Sequence, residues 1–141
     1  MSNIETIRDE WVWVQGLSGE GKQFRMALKR DLVAAIFEQH GRCTLVVSNN
    51  RQSVAGTFDD LLALLNVPWK RYALVCSVEG ERVAVRADAI DSIVYCAFNP
   101  GAPDDTTVSW LVGGFRGAIN TTDDGAEVLE RIELALAEDF R

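Results

Sequence analysis

The sequence predicts an α+β fold: two tandem antiparallel β-sheet units, each followed by a C-terminal helix, packed as an internal pseudo-dimer. Residues 1–141 then form a single compact domain built from two repeats, at about 10–66 and 72–139. Three observations predict this. The chain repeats itself, the two copies carry hairpin-turn residues at matching places, and each copy ends in an acid-capped apolar stripe. Residues 29–37 match 86–94, setting Asp31 on Asp88, Val33 on Ile90 and Ile36 on Ile93. Residues 44–64 match 109–129, setting Val47 on Val112, Arg51 on Arg116, Val54 on Ile119, Thr57 on Thr122, Asp59 on Asp124 and Leu64 on Leu129. A repeat of this length makes each copy one supersecondary unit stacked on its twin.

The elements follow in order. Residues 2–9 are polar and read as a frayed end or a short helix. Trp11-Val12-Trp13-Val14 is aromatic and β-branched, which is strand chemistry. The glycine-rich stretch Gly16–Gly21 turns it back into a return strand carrying Phe24, Met26 and Leu28 in alternation. Residues 22–39 fit two readings. Phe24, Leu28, Leu32, Ala35 and Ile36 share a helix face, whereas the matching segment Val83–Ala97 has strand composition around a short Arg-Ala-Asp break. Homologous units share a fold, which favours strand.

Cys43–Ser48 and Gln52–Gly56 flank Asn49-Asn50, and Thr107–Val112 and Arg116–Asn120 flank Gly113-Gly114. Both pairs suit a two-residue type I′ hairpin, which needs positive φ at both central positions. Thr57 and Thr122 are N-cap candidates, with Asp59, Asp60, Asp123 and Asp124 near the first helical turn, where the helix dipole favours negative charge. Val128, Leu129, Ile132, Ala135 and Leu136 make one apolar stripe. Pro68–Tyr72 is a joint too short for a free linker, so the copies pack directly. The loop Asn99–Asp105 is an insertion in the second copy only, replacing the tighter Gln39-His40-Gly41 turn of the first.

A hairpin, an Asp-x-Ile-x-x-Ile strand, a turn-closed hairpin and an acid-capped helix resemble the small FlbD-type proteins linked to flagellar and swarming motility. The residues that carry this are Asp88–Ile93, Thr107–Val112, Gly113-Gly114 and Thr122–Ile132, echoed in Asp31–Phe37 and Thr44–Leu65. The resemblance implies a β-rich regulatory protein, here as two fused copies. Tandem fusion and the Trp-rich start depart from that family.

Composition narrows the function. Fourteen basic residues against twenty-one acidic give a net charge of −7, unlike the basic footprint of a nucleic-acid or membrane-surface binder. No apolar run reaches the roughly 20 residues of a membrane span, and Met1–Arg8 lacks the order of a signal peptide. Cys43, Cys76 and Cys96, an odd and widely spaced set in apolar runs, read as buried reduced thiols of a cytoplasmic protein.

Several motifs bear on chemistry. Gly16–Gln23 matches the phosphate-cradling G-x-x-x-x-G-K but places Gln23 where magnesium needs a hydroxyl, so it reads as a hairpin loop. His40 and Cys43 form half a metal site with no second pair to close it. No catalytic residue, metal site or cofactor is expected. Arg51 and Arg116, the latter beside Phe115, follow the matching turns and could grip an anion about a pseudo-twofold axis. The competing reading is solvated edge arginines that discourage aggregation. Trp110 and Trp69 fill core or interface, whereas Trp11 and Trp13 share a face that the second repeat or a partner must bury. Trp11, Trp13, Arg51, Phe98, Asn99, Phe115 and Arg116 are therefore the candidate binding residues.

The expected function is non-enzymatic: a small binding protein acting on a protein partner, regulatory or inhibitory, of phage or mobile-element type. The alternative is a small-ligand binder that sequesters a nucleotide or phosphorylated metabolite through arginine and aromatic residues. The expected partners are a protein or a second copy, or else a small anion, with no direct nucleic-acid or membrane contact.

Overall fold

The computed structural model describes residues 10–68, 70–77, 80–96 and 105–138. The chain runs through β1 (Trp11–Leu17), β2 (Gln23–Lys29), a 3₁₀ turn (Arg30–Leu32), β3 (Val33–Gln39), β4 (Arg42–Val47), β5 (Asn50–Val54) and α1 (Phe58–Leu65). The same order of elements follows: β6 (Tyr72–Cys76), β7 (Arg82–Arg86), a 3₁₀ turn (Ala87–Ala89), β8 (Ile90–Cys96), β9 (Asp105–Val112), β10 (Phe115–Thr121) and α2 (Gly125–Glu138). Strand pairing is antiparallel among the described residues. One seven-stranded sheet has the order β2-β1-β5-β4-β3-β7-β6, and a three-stranded sheet has the order β10-β9-β8.

Within residues 22–39, Gln23–Lys29 and Val33–Gln39 are strand around the 3₁₀ turn, and the helix-like spacing has a local cause. The β3–β4 register shifts between Val33 and Ala35, so one residue is bulged out of the ladder. Val33 and Ile36, three apart, therefore share a face and join one core cluster. The β8–β9 register shifts at the corresponding place, between Ile90 and Ser92, and Ile90 and Ile93 also pack on one core. A bulge makes a strand imitate helical periodicity.

One turn and one helix cap differ from the expected positions. The β4–β5 turn is Ser48-Asn49 rather than Asn49-Asn50, because Val47 pairs with Asn50 and Ser48 takes a φ of +51°. At the other hairpin Gly113 and Gly114 do occupy the turn, with φ of +60° and +82°, values that glycine adopts without steric cost. The cap of α2 is Asp124 rather than Thr122: Ala126 N donates to Asp124 Oδ1 at 2.7 Å. Thr57 caps α1 as expected, accepting from Asp60 N at 3.1 Å. The helices thus correspond from Thr57 and Asp124 onward, with Phe58, Leu61 and Leu65 in step with Gly125, Val128 and Ile132, all buried. That sets Leu62, not Leu64, level with Leu129.

Two apolar clusters fill the interior. One combines Val12, Val14, Val33, Ile36, Leu45, Phe58, Leu61 and Leu65 with Tyr72 and Ala84 from the second half. The other combines Val75, Val83, Val85, Val108, Trp110, Val128 and Ile132 with Ala34, Ala35 and Phe37 from the first half. Strands β3 and β7 lie between them, which is why every residue from Val33 to Phe37 is buried. Trp110 is core, as expected, and its ring covers Gly117, where any side chain would collide with it. Trp69 and Cys96 cannot be compared, since Trp69 and the Cys96 side chain lie outside the described part. Cys43 is buried, and burial pushes its thiol pKa up. Cys76 is exposed on β6, contrary to the expectation that all three thiols are interior.

The seam where β3 meets β7 is held by arginines. Arg86 is buried, and its Nη1 donates to the carbonyls of Arg30, Asp31 and Val33 at 3.1, 2.7 and 3.2 Å. Its Nε donates to Asp88 at 2.6 Å. Arg82 grips Glu38 with two hydrogen bonds of 3.0 and 2.8 Å and reaches Asp59 at 2.9 Å. The Arg82 hydrogen bond holds the Glu38 carboxyl below its usual pKa.

Candidate functional site

Hairpin β1–β2 has two unlike faces, and its register assigns residues to each. Trp11 opposes Lys29, Trp13 opposes Ala27 and Gln15 opposes Arg25, so these side chains share one face. Val12, Val14, Met26 and Leu28 make the other face and enter the first core cluster. The first face is open: Trp11 is 43% and Trp13 58% exposed. Arg25 lies over the Trp13 ring at 4.3 Å and the Lys29 ammonium over Trp11 at 5.4 Å, both within cation–π range. Two indoles, each braced by a cation, form a flat apolar surface with a donor rim. Tryptophan and arginine are enriched among the residues that carry most of the binding energy at protein interfaces. Arg25 and Lys29 were missed from the sequence; pairing β2 against β1 residue by residue brings them to the tryptophans.

The other candidates are dispersed. Arg51 lies over Phe37 at 5.1 Å, in a groove of about 250 Å³ shared with Glu38, Ser77 and Asn120. Arg116 is bound to Asp91 at 2.5 Å, and Phe115 is exposed beside it. The two arginines have different partners and line no common groove among the described residues, so the paired anion grip is not assembled. Phe98 and Asn99 lie outside the described residues.

A groove of about 540 Å³ runs between β6 and α2 along Leu74, Cys76, Arg131, Leu134 and Ala135. Both arginines on its lining are spent internally: Arg131 Nη1 donates to the Leu74 carbonyl at 3.0 Å and to Asp123 Oδ2 at 2.9 Å, and Arg82 is held by Glu38 and Asp59. Burial alone would raise the Asp123 pKa, but the Cys76 N–H and Arg131 together outweigh it and hold the carboxyl low. Asp123 is therefore a tie between β6 and α2 rather than a first-turn helix residue. His40 forms the β3–β4 turn with Gly41, at φ of +51° and +75°, and its N–H donates to Glu81 at 3.1 Å. The stretch resembling a phosphate loop is a hairpin turn, closed by Ser18 N donating to the Lys22 carbonyl at 2.9 Å. Among the described residues no helix is long and apolar enough to cross a membrane.

No family model matches the chain, and no curated protein or solved structure matches it either.

Proposed function

We propose that the chain is a non-enzymatic binding protein, regulatory or inhibitory in role, that works through the open face of hairpin β1–β2. The observation that carries this is the pair of exposed tryptophans braced by Arg25 and Lys29 on a strand whose other face is core. Water-exposed indoles on a rigid sheet are costly unless a partner covers them. We also read the chain as two fused copies of one unit. The repeated element order, the matched bulges and equivalent backbone bonds support this, Arg30 N to the Glu10 carbonyl at 2.8 Å and Ala87 N to the Arg71 carbonyl at 2.9 Å. The metabolite-sequestering alternative lacks a comparable observation, since Arg116 is already neutralised by Asp91.

Cross-linking in the native cell tests the reading, with the wild-type chain beside the Trp11→Ser/Trp13→Ser variant. Protein adducts, to itself or to another chain, are expected from wild type and lost from the variant. Adducts that persist unchanged in the variant would overturn it.

A further inference from the structure

The two halves meet through strands that are not counterparts. Strand β3 is third in its half and β7 is second in its own, and they pair with Ala35 opposite Val85, Ile36 opposite Ala84 and Phe37 opposite Val83. A pseudo-twofold would repeat this contact by pairing β8 with β2. In this chain both are left as edges: β2 has only β1 beside it and β8 only β9, among the described residues. The join is head-to-tail, and one socket and one plug remain open.

We propose that a second copy of this chain fills them, β2 of one molecule pairing antiparallel with β8 of the next as β7 pairs with β3 inside it. This rests on the reading of the Trp face as a protein-binding surface and names its occupant. The projected register puts Ser92 opposite Leu28, Ile93 opposite Ala27 and Val94 opposite Met26.

Three counterpart positions argue for it, while Leu74, the counterpart of Trp13, stays 45% exposed at the internal join as well. Hairpin β6–β7 has its own core on one face and turns Tyr72 and Ala84 into the cluster around α1 on the other. By register Tyr72, opposite Arg86, corresponds to Trp11, opposite Lys29. Tyr72 is 8% exposed and Trp11 is 43% exposed. On the receiving side Phe37 is buried by the join, whereas Val94, its counterpart, is 49% exposed. Leu62 packs against the first cluster, whereas Leu129, its counterpart on α2, is 47% exposed. Between β8 and α2 lies an open groove of about 340 Å³, lined by Ile90, Asp91, Ser92, Ile93, Leu129 and Ile132. This is where Trp11 of a neighbour arrives if the internal join is repeated.

The polar chemistry carries over as well. Arg86 stitches the internal seam by donating to the carbonyls of Arg30, Asp31 and Val33. Lys29 takes that position in the projected seam and meets the carbonyls of Ala87, Asp88 and Ile90. The Tyr72 hydroxyl points at the Val33 carbonyl at 3.5 Å; Trp11 offers an indole N–H in the same place. A heterologous contact of this kind closes into a ring or extends as a filament, depending on the rotation per step. An exposed apolar edge strand is otherwise a liability.

Light scattering after size exclusion tests the proposal on the full-length chain. Wild type is expected to run as a species larger than one chain. Trp11→Ser blocks the plug, and Leu129→Glu blocks the socket, with Val94→Lys as a second socket variant. All three positions are exposed, and cooperative unfolding checks that each variant is folded. Each variant alone is expected to lose association by at least about tenfold and run as a monomer. A plug variant mixed with a socket variant keeps one intact surface of each kind and is expected to give a two-chain complex that grows no further. Wild type that stays monomeric at every concentration overturns head-to-tail pairing; the Trp-face reading would then still stand or fall on its cross-links to other proteins. Wild-type assembly with no rescue on mixing also overturns it, because a symmetric Trp-to-Trp contact behaves that way.

Discussion

The two hairpins, β1–β2 and β6–β7, are built alike and differ in what lies on their second face. Each turns one apolar face into its own half. On the other face β6–β7 meets α1 and β3 at one end, where Tyr72 and Ala84 are buried and Arg86 is sealed into carbonyl contacts, while Leu74 and Cys76 farther along stay exposed. The second face of hairpin β1–β2 stays open and shows Trp11, Trp13, Lys29 and Arg25 instead. The comparison teaches that an alternating strand pattern fixes which side chains share a face. What covers the face depends on the neighbour that docks there.

The sharpest way to break the comparison is at the basic residue ending the second strand of each hairpin. Arg86→Met removes a buried donor from the Arg30, Asp31 and Val33 carbonyls and leaves Asp88 with Lys70 alone, and is expected to cost about 3 kcal/mol in urea unfolding. Lys29→Met, its counterpart, is expected to stay within about 0.5 kcal/mol in dilute, dissociated protein. Tyr72→Ala empties a packed site between the halves and is expected to cost about 3 kcal/mol, while Trp11→Ala costs about 1 or less under the same conditions.

A smaller difference separates the helix starts. Thr57→Ala removes the α1 cap and is expected to cost about 1 kcal/mol, whereas Thr122→Ala, outside the α2 cap, leaves stability within about 0.5 kcal/mol. Last comes acid. Glu38 and Asp123 both have lowered folded pKa values, so the stability they contribute is present above their unfolded pKa values and is lost as pH falls through the folded ones. Thermal melts below about pH 5 are expected to show Tm falling with pH, with a shallower slope in Asp123→Asn. An unchanged slope would show that the carboxylate does not tie β6 to α2.

Much of the fold was legible because local rules and the doubling agreed. Trp11–Val14 alternates, Gly113-Gly114 can only be a tight turn, and Thr57 before two aspartates caps a helix. The misreadings are equally specific. The Asn49-Asn50 turn moved by one residue because Ser48, an ordinary non-glycine residue, takes the positive φ. Thr122 lost the cap to Asp124 because Thr121 and Asp123 are occupied in the turn before α2: Asp123 N donates to Thr121 Oγ1 at 3.0 Å. The tryptophans of the candidate face were visible as an oddity of composition. Arg25 and Lys29 were not, because only strand pairing brings them to the indoles.

The sequence by itself determined the elements, their order and the repetition of that order, since these depend on residue spacing, turn chemistry and capping within a few residues. Tertiary structure alone decided that β3 pairs with β7 and leaves β2 and β8 as edges. Both hairpins have the same periodicity, and pairing between distant strands is chosen by which buried surfaces fit and which arginine finds its carbonyls. Local spacing holds no record of that choice.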